Sequence, residues 1–155
     1  MQTRRLTKRE SAVLGRMGRA KMCAPGGCEL GPRPIDLHLA AIRSLGGRIA
    51  ETEGGLLCEG KLHGADIVLS LPSVGATENA MLAAVCADGV TTITNAAREP
   101  EIVDLQNFLN TLGADVRGAG SSVITVRGGA PLHGGEYTVM GDRIVAATYL
   151  AAAAS

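Results

Sequence analysis

The chain carries no tryptophan, one phenylalanine and two tyrosines in 155 residues. Lys and Arg balance Asp and Glu, so the formal net charge is zero. Base stacking needs rings and phosphate neutralisation needs surplus cations; both shortages argue against nucleic acid as the main partner. The four cysteines (Cys23, Cys28, Cys58, Cys86) form no Cys-x-x-Cys pair, and the three histidines (His38, His63, His133) are scattered. That spacing offers neither a metal site nor a disulfide framework, which leaves a reducing cytoplasm as the expected setting. No apolar run approaches the ~20 residues that span a membrane. The basic N-terminus lacks the apolar stretch of a signal peptide. The expectation is a soluble cytoplasmic protein with no metal, no cofactor and no membrane partner.

What is present is aliphatic and small. Hydrophobic residues make up 46%, and 21 glycines imply many short turns. Ala, Val, Leu and Ile suit closely packed helix-on-sheet layers, and the length allows one domain with a real core. Residues 1–21 hold seven of the 15 basic residues and read as a solvated arm. Beyond them strand and helix signals alternate. Helices are predicted near 34–45, 74–87, 99–112 and 142–154. Strands are predicted near 48–53, 56–59, 66–70, 90–94, 114–118, 122–127 and 136–140. Gly46-Gly47 and Gly113 follow the last apolar residues of their helices, as stop signals should.

The chain repeats itself. Asp36-Leu37 through Leu45-Gly46 recurs as Asp104-Leu105 through Leu112-Gly113. Leu62-His63-Gly64, followed by an apolar strand and an Ala-rich helix, recurs as Leu132-His133-Gly134. Each unit reads helix, two strands, a third strand, helix, which indicates duplicated α/β units rather than one wound sheet. The last residues, Ala151-Ala152-Ala153-Ala154-Ser155, lie inside a helical pattern without a stop signal, as expected of a piece of a larger protein.

Four stretches can carry chemistry. Cys28 lies in Pro25-Gly26-Gly27-Cys28-Glu29-Leu30-Gly31-Pro32-Arg33-Pro34, a loop of breakers rather than an apolar pocket. Arg33 precedes a helix start, and a cation and a helix N-terminus both favour anions and lower a thiol's pKa. In the helix that follows, Asp36 and Pro34 are compatible with ordinary capping or with a ligand platform. Ser73-Val74-Gly75-Ala76-Thr77 starts a helix after a strand; it is a plain N-cap or a phosphate seat made of free amides. Glu99 and Glu101, in Asn95-Ala96-Ala97-Arg98-Glu99-Pro100-Glu101, either complement a helix dipole or serve acid–base chemistry. The same two readings apply to Asp142-Arg143.

Taken together and in order, Pro25–Cys28, Gly31–His38, Pro72–Thr77, Asn95–Asp104 and Asp142–Ile144 resemble the UDP-N-acetylglucosamine 1-carboxyvinyltransferase family of enolpyruvyl transferases. The resemblance implies an inside-out α/β barrel with two lobes, each of three repeated units with helices packed inside sheets. It implies transfer of the enolpyruvyl group of phosphoenolpyruvate to the 3′-hydroxyl of UDP-N-acetylglucosamine, with phosphate release, as the first committed step of peptidoglycan precursor synthesis. The family's loop cysteine is a general acid and the target of fosfomycin; by motif match it is Cys28. Arg33, Pro34, Ile35, Asp36 and Leu37, with His38 beside them, match the segment that holds the nucleotide sugar. Arg33 also matches an arginine facing the phosphoenolpyruvate phosphate. Ser73, Val74 and Gly75 match the turn that receives the diphosphate, and Glu99 matches an active-site acid.

The resemblance covers Leu14 onward and breaks in places. Leu71 stands where some members have a lysine. Arg4 falls at the distance of a family arginine, but in Thr3-Arg4-Arg5-Leu6-Thr7-Lys8-Arg9-Glu10 rather than an apolar helix. The expected organisation is a divergent basic arm over 1–13, a partial lobe over 14–141, and over 142–155 the start of a crossover to a second lobe. Such a piece is expected to be inactive alone. The alternative is a non-catalytic nucleotide-sugar-binding lobe, or the partner of a separately encoded second lobe. A third expectation, raised by the unusual N-terminus, is a product with no stable fold.

Overall fold

The computed structural model describes residues 8–23, 35–53 and 55–154. Among the described residues five helices and seven strands follow in order: α1 Lys8–Met17, β1 Arg19–Cys23, α2 Asp36–Ser44, β2 Arg48–Thr52, β3 Gly55–Glu59, β4 Asp66–Val68, α3 Val74–Val85, β5 Gly89–Thr94, α4 Pro100–Thr111, β6 Asp115–Arg117, β7 Val123–Gly128 and α5 Arg143–Ala154. The strands form two sheets, ordered β1-β3-β2 and β4-β5-β7-β6.

The duplication read from the sequence is a duplication of topology. In both sheets a hairpin pairs antiparallel (β2 with β3, β6 with β7), and the strand preceding the intervening helix joins it antiparallel (β1 to β3, β5 to β7). The two recurring histidines also do the same work. His63 N–H donates to Leu45 O at 3.0 Å, and His133 N–H to Leu112 O at 2.9 Å. Each ring covers the glycine that ends the preceding helix: a Cβ on Gly46 would meet His63 Nε2 at 2.5 Å, and one on Gly113 would meet His133 Cδ2 at 3.0 Å. Both glycines have φ near +90° (90° and 95°), a conformation that ends a helix at little cost only in glycine.

Helix α3 is the centre of the core. Ser73 caps it by accepting from Ala76 N–H, and every residue from Ala76 to Val85 except Leu82 is buried. It packs against α1, α2 and α4 and lies on β5 and β7. A helix covered on all sides has to be apolar or internally bonded all round. Ala76, Ala80, Ala83 and Ala84 let its neighbours approach closely, while Met81 fills the space between them. The β7 face supplies Ile124 and Val126 at alternate positions, and β5 supplies Thr91 and Ile93.

Two expectations are corrected. The stretch 1–21 is not a solvated arm from Lys8 onward: α1 and β1 belong to the fold, with Ser11, Leu14 and Ala20 buried and α1 packed on α3. Arg16 is exposed while Ser11 and Leu14 pack inward, so total charge misleads where the helical face does not. The strand predicted at 136–140 is absent, and residues 129–142 run without a ladder. Its repeat counterpart β4 takes its ladder from β5, the strand after α3; among the described residues no strand follows α5. A strand without a neighbour leaves its amides unpaired, and alternation in the sequence cannot supply one. Elsewhere the predicted elements are present with ends shifted by a residue or two, the usual scatter of helix and strand ends.

Candidate functional site

Three helix N-termini meet at one end of α3. The first turn of α2 carries Asp36, Leu37 and His38 after Ile35 at its N-cap. The His38 ring lies across the first turn of α3, where a Cβ added to Gly75 would stand 3.1 Å from His38 Cε1. A side chain at 75 would therefore press on the ring, whereas φ makes no demand for glycine there. On the other side Thr77 Oγ1 donates to Ser73 O at 2.8 Å and accepts from Ala97 N–H at 3.0 Å. That bond ties the start of α3 to the 95–99 loop, which leads into α4 with Glu99 as N-cap and Pro100 at its first position. Asn95 holds the loop's near end: its φ is 57° and its side-chain amide donates to Leu69 O at 2.9 Å.

A buried polar chain stiffens this end. Ser11 Oγ donates to Asn79 Oδ1 at 2.7 Å. Asn79 Nδ2 lies 2.7 Å from His38 Nδ1 and 2.9 Å from Gly75 O. Burial pushes the His38 pKa below its usual 6.5, against the opposing charge of Asp36, so the ring is neutral near neutral pH. Neither Ser11 nor Asn79 stood out in the sequence. The available signal was the polar run Thr77-Glu78-Asn79 within an otherwise aliphatic helix.

Chemically, this end can offer hydrogen-bond donors to an anion. Aligned helix starts contribute partial positive charge and unbonded N–H groups, and Val74 and Gly75 lie in the first turn of α3, ahead of the amide that Ser73 caps. Of the predicted site residues, Ile35, Asp36, Leu37, His38, Ser73, Val74, Gly75 and Glu99 occupy these three starts. Cys28, Arg33 and Pro34 lie outside the described residues. Glu99 makes no side-chain capping bond, whereas Glu101 pairs with Arg143 at 3.0 Å and is held below the usual carboxylate range by a backbone hydrogen bond and by that guanidinium. Asp142 caps α5 by accepting from Ile144 and Val145 N–H at 2.8 and 3.0 Å. Capping and pairing account for Glu101, Asp142 and Arg143. Cys58 and Cys86 are ordinary packed thiols whose pKa burial raises, which leaves them poor nucleophiles.

Residues 11–155 match the family model described as EPSP synthase (3-phosphoshikimate 1-carboxyvinyltransferase). The chain belongs to the EPSP synthase family. Within that family it is similar to proteins named UDP-N-acetylglucosamine 1-carboxyvinyltransferase. It is 56% identical over 144 residues to form 2 from Caldanaerobacter subterraneus subsp. tengcongensis, covering 92% of this chain and 34% of the relative. It is also 56% identical over 144 residues to form 1 from Symbiobacterium thermophilum, covering 92% and 33%. The Idiomarina loihiensis protein of that name is 52% identical over 144 residues, covering 91% and 34%. The chain thus spans about a third of the length of these relatives. Among solved structures, EPSP synthase from Acinetobacter baumannii superposes with TM-score 0.63 at 25% identity, covering 82% of this chain and 30% of that one. The enolpyruvyl transferase NikO from Streptomyces tendae shares the fold with TM-score 0.63, covering 79% and 29%. The fold is that of part of an enolpyruvyl transferase lobe, with the buried helix α3 lying on β5 and β7 among α1, α2 and α4.

An open groove of about 500 Å³ lies at the other end of α3, lined by Gly18, Arg48, Lys61 and Cys86 among others. It shares no residue with the three helix starts. Among the described residues no helix is long and apolar enough to cross a membrane, and no group of three His, Cys, Asp or Glu is placed to hold a metal ion.

Proposed function

We propose that the end of α3 where α2, α3 and α4 begin is the nucleotide-sugar seat of a UDP-N-acetylglucosamine 1-carboxyvinyltransferase, acting in the cytoplasm. The observation that carries this reading is the junction itself. His38 packs on Gly75 and Ala97 is bonded to Thr77, so the three motifs that the sequence separates by up to 61 positions (His38 to Glu99) face one place. Val74 and Gly75 amides then face the diphosphate, and Ile35–Leu37 the nucleoside side. In the whole transferase, Arg33 faces the phosphoenolpyruvate phosphate and Cys28 protonates its methylene carbon. Attack by the sugar 3′-hydroxyl on C2, with loss of the hydroxyl proton, gives a tetrahedral adduct; breaking the C2–O bond to phosphate and removing one C3 proton then restores the double bond. Glu99 stands at the start of α4 for the proton transfers of that sequence. A second reading has one observation behind it: α5 exposes Ile144, Val145, Tyr149 and Leu150 and buries nothing. A helix with apolar residues exposed all round suits burial against a second lobe, with this chain as the nucleotide-sugar-binding part.

Calorimetry with two ligands tests the reading. UDP-N-acetylglucosamine is expected to give a binding isotherm and 3-phosphoshikimate none; heat from 3-phosphoshikimate alone would place the chain with the other branch of its family.

A further inference from the structure

We propose that Asn79 is a positioning residue that fixes His38 as a neutral Nε2–H donor at the start of α3. The inference follows from which partners of the Asn79 amide can change roles. Ser11 Oγ can donate or accept, and the His38 ring can present either tautomer at Nδ1. Gly75 O can only accept. It lies 2.9 Å from Asn79 Nδ2, so the amide nitrogen must point that way. One Nδ2 hydrogen serves Gly75 and the other is directed at His38 Nδ1, 2.7 Å away. Nδ1 then has to be the unprotonated nitrogen, and the ring proton sits on Nε2. Ser11 completes the arrangement by donating to Oδ1 at 2.7 Å. Ser11 is wholly buried and Asn79 nearly so (0% and 2% exposed), which keeps water from replacing any of these bonds.

The consequence for binding rests on the nucleotide-sugar reading above. The edge of the ring carrying Cε1 and Nε2 borders Gly75, so Nε2–H adds a side-chain donor beside the first-turn amides of α3. A ligand oxygen seated there meets one more donor without a full cation, and α1, through Ser11, becomes part of the site's support.

Nitrogen-15 NMR of the labelled, ligand-free protein tests the assignment. The expected result is a single Nε2–H tautomer for His38, with a scalar coupling across the hydrogen bond between Asn79 Nδ2 and His38 Nδ1. Asn79→Asp places an acceptor at 79 and is expected to switch His38 to Nδ1–H. Ser11→Ala is expected to leave the tautomer unchanged, because Gly75 O still orients the amide. An Nδ1–H His38 in the unsubstituted protein overturns the proposal whether or not Asn79→Asp folds. So does a folded Asn79→Asp that keeps Nε2–H. UDP-N-acetylglucosamine is added only afterwards: an unmoved Nε2–H resonance then counts against the nucleotide-sugar reading and not against the tautomer.

Discussion

Gly64→Ala is expected to lower the melting temperature by ~10 °C or more, while Gly134→Ala leaves it within ~2 °C. The two glycines are repeat equivalents and their surroundings are not. A Cβ on Gly64 would stand 2.2 Å from Val90 O, 2.6 Å from Val90 N and 2.7 Å from its carbonyl carbon. All three are backbone atoms of β5, so no side chain can turn aside to make room. Gly64 N–H also donates to Asp88 O at 2.7 Å, and His63 and Asp88 form a parallel bridge beside it. Relief would require β5 to move off β4 and β7, at a cost in the exceptional range above ~4 kcal/mol. With ~2–4 °C per kcal/mol for a chain of this size, the shift reaches ~10 °C. A Cβ on Gly134 would meet nothing within 4 Å, so that variant belongs with ordinary surface changes of about ±0.5 kcal/mol. Thermal melts of the two variants followed by circular dichroism decide it; equal losses would mean that the Leu-His-Gly clip is a local motif indifferent to β5.

Met81→Ala is expected to cost about 2–5 kcal/mol, and Met81→Leu less than about 1.5 kcal/mol. Met81 is wholly buried in α3, the helix against which α1, α2 and α4 pack. Its neighbours along the helix, Ala80, Ala83 and Ala84, are already minimal and have no side chain with which to fill a cavity. The cost therefore combines lost burial with a space that cannot close. Urea unfolding reads both variants, with Met81→Ala lowering the midpoint at an unchanged slope. A cost below 1 kcal/mol for Met81→Ala would mean that the helices around α3 close up freely, contrary to a core fixed by close helix contacts.

How far the sequence reveals this structure depends on whether a signal is local. The capped start of α3 at Ser73, Pro100 at the head of α4, and the glycine stops after α2 and α4 are decided by residues within one turn. Each is found where the pattern puts it. The repeat was legible too, because duplicated residues need no knowledge of their partners. Helix α1 was not: its charges dominate the composition of 1–21, whereas its place in the fold depends on Ser11 and Leu14, three positions apart on one face. The 129–142 segment failed as a strand for the opposite reason, since its pattern is right and no ladder partner stands beside it among the described residues. In the candidate site, helix starts are readable but their convergence is not. It rests on long-range bonds such as Ala97 to Thr77 and Asn79 to His38, which no local pattern encodes.

The proposed seat of the nucleotide sugar is the α3 end shared by α2 and α4. Backbone amide spectra during titration with UDP-N-acetylglucosamine locate the bound ligand directly. Saturable shifts are expected at Val74 and Gly75, at Leu37 and His38, and at Ala97 to Glu99. Shifts concentrated instead around Gly18, Arg48 and Lys61, in the groove at the far end of α3, would contradict it.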